Sequence, residues 1–189
     1  MRLLLDMDGP LADFDAHGFQ LCLERGYSFE VEGVHAQTAR YFTEHMTVAE
    51  EIKAVRQMIE SPGWFEQLPI TPGAIEGVQR MIEHGIDVWV CTKPLERNPT
   101  CRDAKGAWLR SHLPMLEDKL IIAPDKSMIV GDILLDDAPK PSWFPDAQWQ
   151  PVIFNAPFNG VGSEWEHLPH WTWSDPIEKL TEIARAWGY

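Results

Sequence analysis

The chain has 189 residues, and its 16 basic against 29 acidic side chains give a formal net charge of −13. Hydrophobic residues make up 44% and aromatics 11%, enough for a sizeable core, which excludes a disordered tail or a disulfide-dependent miniprotein. The acidic balance argues against binding to nucleic-acid polymers or anionic membranes, which need a basic face, but allows a small anion if a metal or local cations offset the repulsion.

Leu3–Met7 reads as a short buried strand that ends in the polar string Asp6-Met7-Asp8-Gly9. Residues 15–71 read as a mostly helical insert, in which His35–Glu60 carries Val48, Ile52, Val55 and Ile59 at helical steps before Ser61-Pro62-Gly63 breaks the pattern. From Thr71 the pattern alternates. Pro72-Gly73 opens a helix with Ile75, Val78, Met81 and Ile82 on its apolar face, and Gly85 ends it. Ile86–Cys91 is a strand, 103–112 a helix, and Leu120–Ile122, Met128–Val130 and Ile133–Leu135 are short strands, the last ending in Asp136-Asp137. A strand at Pro151–Phe154 and a helix at Pro176–Trp187 follow. This rhythm predicts an α/β fold: a Rossmann-like parallel sheet with helices on both faces, formed by residues 1–14 and 72–189, with a small helical cap (15–71) inserted after strand 1.

Cys22, Cys91 and Cys101 are odd in number and widely spaced, so neither a disulfide framework nor a zinc ribbon is expected. The apolar run at the N-terminus is far too short for a signal peptide, and no stretch approaches the ~18 apolar residues of a membrane span. A reducing cytoplasm is the expected location.

The informative residues lie at predicted strand ends. Asp6 and Asp8 follow the first strand, Thr92 and Lys93 a middle one, and Asp136 and Asp137 a late one, with Lys126 preceding that late strand. In a parallel sheet these ends converge on one crevice. Carboxylates gathered there repel one another, and a divalent cation relieves them. Oxygen-only donors favour Mg²⁺, which completes its shell with water and phosphate. A carboxylate aimed at phosphorus can then act as nucleophile, and one two residues on, lying on the same side of the strand end, as general acid and base.

Asp6-Met7-Asp8-Gly9, Thr92, a lysine and Asp136-Asp137 together resemble the four motifs of the haloacid dehalogenase-like phosphatases. The strings Asp6–Phe14, Cys91–Pro94, Asp125-Lys126 and Leu134–Asp137 resemble the 5′(3′)-deoxyribonucleotidase family in particular, over residues 1 to about 140. The resemblance implies a phosphomonoesterase acting on nucleoside monophosphates. It implies Asp6 as the phosphorylated nucleophile, Asp8 as the acid/base, and Mg²⁺ on the Asp6 carboxylate, the Asp8 carbonyl and an acid of the Asp136-Asp137 pair, Asp137 being favoured. Thr92 would bond the phosphoryl oxygens and Lys126 neutralise them. Lys105 matches a second family lysine, and Phe14 would stack on the base with help from Tyr41, Phe42 and Ile59. Two residues depart from the family pattern: Pro10 stands where Val is usual and Lys93 where Ser or Thr is frequent. Proline removes an N–H and lysine adds charge near the phosphate, so both bear on substrate preference.

Other readings compete. A phosphatase of the same superfamily acting on a sugar phosphate differs only in its cap. A phospho-accepting receiver module places its acceptor on a middle strand, unlike Asp6, and a catalytically dead nucleotide binder would not need the full residue set. Phe14, Tyr41 and Phe42 also suit core packing, Lys105 an exposed helix, Asp13 and Asp15 solvated or capping roles, and His167 and His170 a surface turn. Asn155 and Asn159 sit just past a strand within reach of the crevice, the rest of 140–189 has no assigned role, and a homodimer stays open.

Overall fold

The structure, a computed structural model, describes residues 1–188, so only the last residue of the expected 72–189 segment falls outside it. Six parallel strands form one sheet in the order β3-β2-β1-β4-β5-β6. They are β1 (Arg2–Leu5), β2 (Asp87–Thr92), β3 (Leu120–Ile122), β4 (Val130–Asp136), β5 (Gln148–Phe154) and β6 (His170–Trp171). Five α-helices accompany them: α1 (Phe14–Glu24), α2 (Ala49–Ile59), α3 (Ala74–Glu83), α4 (Cys101–His112) and α5 (Ile177–Ala186). Strand order reverses between β1 and β4, and the carboxyl ends of strands at such a switch point border the crevice where ligands bind in open α/β sheets. Leu5 pairs with Leu135 in register, and the Asp6 amide donates to the Leu135 carbonyl at 2.9 Å. The acids at the ends of these two strands, Asp6 just past β1 and Asp136-Asp137 at the end of β4, therefore emerge side by side.

Leu3, Leu4 and Leu5 are all fully buried, because both sheet faces are covered. Alternation along the strands sends Leu3, Leu5, Val90 and Leu135 toward α3, α4 and α5, where Val78, Trp108 and Leu180 meet them. Leu4, Cys91 and Leu134 face the other way, onto Trp143 and Trp149. On that second face the helical cover is reduced to single 3₁₀ turns at Lys126–Met128 and Pro141–Trp143. Two tryptophans do there what a helix does on the first face, filling the volume with few residues.

The expected strands at 128–130 and 133–135 are one strand, β4, with its pairing to β5 interrupted between Val130 and Ile133. Gly131 allows this close approach: a β-carbon there would lie 2.7 Å from Leu4 Cγ. Lys126–Met128 is a turn because Asp125 accepts from the Ser127 amide at 2.9 Å. Ile82, expected on the buried face of α3, is 41% exposed; Ala74, Gly77, Val78 and Met81 form that face. β6 has two residues, too few to show a period.

Between β1 and α3 the chain meets itself at 11–13 and 69–71. There the Asp13 amide donates to Pro69 O (2.9 Å) and the Thr71 amide to Leu11 O (2.7 Å). The segment between has its own apolar cluster of Phe19, Cys22, Phe42, Met46 and Val55. The amphipathic helix expected from His35 begins only at Ala49. Before it, side chains compete for the backbone: Gln37 Nε2 donates to Ala39 O (2.8 Å) and Arg40 O (3.0 Å), and His45 Nε2 accepts from the amides of Thr38 (3.1 Å) and Ala39 (3.2 Å). Gly18 lowers the helical signal of α1, yet it is where Phe42 packs, 2.4 Å from where a β-carbon would be. Among the described residues no helix is long and apolar enough to cross a membrane.

Candidate active site

The first strand leads directly into the site. Asp6 Oδ1 accepts from the Met7 amide (2.8 Å) and lies 2.8 Å from Lys126 Nζ. Lys126 reaches it from the turn before β4 and pairs as well with Asp136 Oδ2 at 2.7 Å. Burial alone would drive the proton off this lysine, but attraction from Asp136 and Asp6 outweighs it and holds the ammonium above the ordinary lysine range. Asp136 is consumed on both sides, since its Oδ1 accepts from the Ala138 amide at 2.8 Å.

Asp8 lies two residues past Asp6, across the fully buried Met7. Its Oδ2 is 2.6 Å from Lys105 Nζ, and among the described residues its buried Oδ1 has no hydrogen-bond partner. Burial raises the Asp8 pKa despite the Lys105 cation, and the Asp6 charge adds to the rise. Lys105 projects from α4, fully buried, and also donates to Thr92 Oγ1 (2.7 Å) and Lys93 O (3.1 Å). Its three N–H donors are thus all engaged inside the protein. An exposed helix position does not describe it; it ties Asp8 to Thr92.

Asp137 differs from its neighbours in having no lysine. Burial first, then the charges of Asp136, Asp6 and Asp15, push its pKa well above the usual carboxylate range, against a smaller pull from Arg40. Carboxylate oxygens of Asp6, Asp136 and Asp137 all lie within 4.8 Å of one another. Of the three, Asp136 is ion-paired and amide-bonded, so Asp137, with Asp6 beside it, is the acid whose charge is left to be neutralised. An all-oxygen donor set with uncompensated negative charge fits a hard divalent cation.

The remaining expected residues are dispersed. Lys93 is exposed just past Thr92, which is fully buried. Phe14 packs against Trp64, Phe65 and Phe42 at centroid distances of 5.6, 6.2 and 6.4 Å. Phe42 itself is 1% exposed inside the insert's apolar cluster. Tyr41 is 54% exposed and lies under the Arg40 guanidinium at 5.2 Å. Asp13 caps α1 through the Ala16 amide, as a capping role requires. Asp15 is half-buried and the cap is Asp13: burial raises the Asp15 pKa to about 7, and Gln37 Nε2 donates to its Oδ2 at 3.3 Å.

Several supports come from outside the strand ends, and of these only Asn159 stood out in the sequence, as a residue just past a strand. Asn159 is buried and donates through Nδ2 to Asp137 O and Phe154 O, both at 2.8 Å, which fixes the loop carrying Asp137. Asn155, by contrast, pairs with His170 at 2.6 Å. Trp173 Nε1 donates to Pro10 O at 2.9 Å, and its ring occupies the space a side chain at Gly77 would need. The C-terminal segment thus holds the loop after Asp8 from behind. Asn98 donates to Ile59 O (2.9 Å) and Ser61 O (2.6 Å), tying the chain after β2 to the insert.

Comparison with known proteins agrees with this geometry. Over 179 residues the chain is 31% identical to a candidate 5′(3′)-deoxyribonucleotidase of Bordetella pertussis, covering 94% of this chain and 95% of that one. It is 30% identical over 167 residues to the cytosolic-type 5′(3′)-deoxyribonucleotidase of Homo sapiens, covering 84% and 82%. In fold it is similar to a HAD family hydrolase from Deinococcus radiodurans solved with phosphate and sodium (TM-score 0.56, 12% identity, 98% and 95% covered). A family IA HAD hydrolase from Entamoeba histolytica is also similar (TM-score 0.52, 15% identity, 97% and 99% covered). The model of the family described as 5′ nucleotidase, deoxy (pyrimidine), cytosolic type C, matches residues 1–181. With a HAD-like sheet and a match of that extent, the chain belongs to this family of 5′-nucleotidases, phosphoric monoester hydrolases.

Proposed function

We propose that the protein hydrolyses (deoxy)nucleoside monophosphates in a Mg²⁺-dependent reaction through an aspartyl-phosphate on Asp6. The observation that carries this reading is the asymmetry of the Asp6 carboxylate. Oδ1 is held by Lys126 and the Met7 amide, which directs Oδ2 as the attacking atom. A bond forms between Asp6 Oδ2 and phosphorus while the phosphorus–alkoxide bond breaks. Asp8, whose raised pKa favours the protonated form, gives its proton to the leaving nucleoside oxygen. In the second half Asp8 takes a proton from water, the hydroxyl attacks phosphorus, and Asp6 leaves as a carboxylate with inorganic phosphate released. Thr92 keeps its hydroxyl hydrogen for a phosphoryl oxygen, since Lys105 donates to its oxygen. Lys126 offsets charge on the nucleophile.

The Asp6 and Asp137 carboxylates and the Asp8 carbonyl would hold the Mg²⁺. When bound, the ion screens the carboxylates from the phosphate and polarises the phosphoryl oxygens. Residues 15–71 would act as the cap, with Phe14 next to the base. Three free, buried cysteines are consistent with a reducing compartment such as the cytoplasm.

The test is a panel of phosphate esters with Mg²⁺, comparing dUMP, dTMP and other nucleotides with sugar phosphates. Preference for nucleotides is expected, and a clear preference for sugar phosphates rejects the substrate assignment. Asp6→Asn should lose turnover by roughly 10³-fold or more with an unchanged circular dichroism spectrum. Wild-type rates in that variant reject the mechanism.

A further inference from the structure

The loop after β1 carries two groups of the proposed mechanism, the carboxyl and the carbonyl of Asp8, and the next residue is a glycine. Gly9 has φ +94 and no side chain, so the Asp8–Gly9 and Gly9–Pro10 peptides can turn against each other more freely than across any other residue. Holding the Asp8 carbonyl at one angle toward a metal therefore requires that both peptides be fixed.

The first peptide is fixed within the loop. The Gly9 amide donates to Ala12 O at 2.8 Å. In a trans peptide the C=O points opposite to the N–H, so this bond turns the Asp8 carbonyl away from Ala12. The Leu11 and Ala12 amides in turn donate to Met7 O at 3.0 and 2.8 Å.

The second peptide ends on the nitrogen of Pro10, which has no hydrogen. The Gly9 carbonyl is its only hydrogen-bonding group, and it accepts from Thr71 Oγ1 at 2.8 Å, across 62 positions of sequence. The following carbonyl, Pro10 O, is taken by Trp173 Nε1 at 2.9 Å. Thr71 is half-buried, closes the insert and is itself held on both sides. Its amide donates to Leu11 O at 2.7 Å, and its carbonyl accepts at 3.0 Å from the amide of Ala74, the first residue of α3. Gly9 also lies against Asp137, whose Oδ2 would be 2.6 Å from a β-carbon on Gly9. A displacement of Gly9 thus reaches two of the groups that would hold the ion, the Asp8 carbonyl through the shared peptide and the Asp137 carboxylate through contact.

We propose that Thr71 is a positioning residue for the metal site: its hydroxyl clamps the Gly9–Pro10 peptide and so sets the angle of the Asp8 carbonyl and the room left to Asp137. The inference rests on the Mg²⁺-dependent reading and deepens it, since it makes the returning end of the insert, as well as the strand ends, part of what holds the ion.

The experiment is isothermal titration of MgCl₂ into the metal-free, full-length protein. The variants are Thr71→Val, which keeps the shape and removes the hydroxyl, and Thr71→Ser, which keeps the hydroxyl and removes the methyl. The control is Thr181→Val on α5, where a threonine hydroxyl donates to Glu178 O at the same 2.8 Å. Thr71→Val should weaken Mg²⁺ binding about tenfold, and raising Mg²⁺ should restore its nucleotide turnover, which a general loss of structure would not allow. Thr71→Ser and Thr181→Val should bind Mg²⁺ as the wild type does. Should the circular dichroism spectrum of Thr71→Val change, the smaller Thr71→Ala carries the same expectation. Wild-type Mg²⁺ affinity in the folded variant overturns the proposal, as does an equal loss in Thr71→Ser or in Thr181→Val, or failure of both Thr71→Val and Thr71→Ala to fold. Nucleotide hydrolysis by the wild type separates the two claims. Thr71-dependent Mg²⁺ binding without nucleotide hydrolysis keeps the clamp and removes the nucleotidase reading; hydrolysis with Mg²⁺ affinity independent of Thr71 does the reverse.

Discussion

Gly9 and Asp137 are in such close contact that a β-carbon on Gly9 would lie 2.6 Å from Asp137 Oδ2. Gly9 also has φ +94, a backbone region that side chains disfavour. Gly9→Ala is therefore expected to displace the Asp137 carboxylate, with two readouts: a loss of about 1–3 kcal/mol of stability by denaturant unfolding, and Mg²⁺ affinity weakened by tenfold or more. Unchanged Mg²⁺ affinity in a folded variant means that Asp137 does not hold the metal from its present position.

Asp137→Asn probes the same carboxylate from the opposite side. A half-buried acid with three like charges nearby destabilises the metal-free fold whenever it is ionised. Because its folded pKa is raised, that penalty is absent below the unfolded pKa of ~4 and grows as pH rises above it. At neutral pH the metal-free variant should melt above the metal-free wild type. Mg²⁺ should raise the wild-type Tm, by the equivalent of about 2.7 kcal/mol at a hundredfold excess over Kd, and leave the variant's Tm nearly unmoved. Equal Mg²⁺-induced shifts in the two proteins count against Asp137 as a ligand.

Lys126→Met removes the cation shared by Asp6 and Asp136, whose side chains are only 13% and 4% exposed. Two carboxylates then stay in a poorly solvated pocket with no lysine. Breaking a buried pair in this way costs about 3–5 kcal/mol, so chemical denaturation should show a large loss at pH 7. The loss should shrink as pH falls and Asp136, whose pKa burial already raises, takes up a proton. A loss that is the same at pH 5 and pH 8 indicates a packing effect only.

The sequence made the inner sheet and its acids readable because fully buried parallel strands are continuous apolar runs, and Leu3–Leu5, Val88–Cys91 and Ile133–Leu135 stop abruptly at polar residues. Supporting contacts have no such pattern. Trp173 acts on residue 10 across a sequence gap of 163 and nothing local marks it, while Asn159 is legible only as a residue just past a strand, its hold on residue 137 lying across a gap of 22. Lys105 has helical spacing typical of a surface lysine, but Asp8 and Thr92 draw it wholly inside. The region 35–48 contains helix formers, yet Gln37 and His45 bind the backbone that a helix needs.

Asp15 gives the prediction that is cleanest in pH. It sits in the first turn of α1, and burial, with Asp13 and Asp8 adding repulsion, raises its pKa to about 7 against the Gln37 hydrogen bond. A carboxyl whose folded pKa lies above its unfolded value contributes stability that is fully present below the unfolded pKa and is lost as pH rises through the folded one. The window for this group runs from ~4 to about 7. Ionised Asp15 is then a liability of about 2–4 kcal/mol at pH 8, given 1.36 kcal/mol for each pKa unit. Asp15→Asn keeps an oxygen for Gln37 and carries no charge, so it should stabilise the protein at pH 8 and leave stability near pH 4.5 almost unchanged. Urea unfolding of both proteins at the two pH values decides it. An equal gain at both assigns the effect to packing, and a loss at pH 8 shows that the ionised carboxylate is used by the fold.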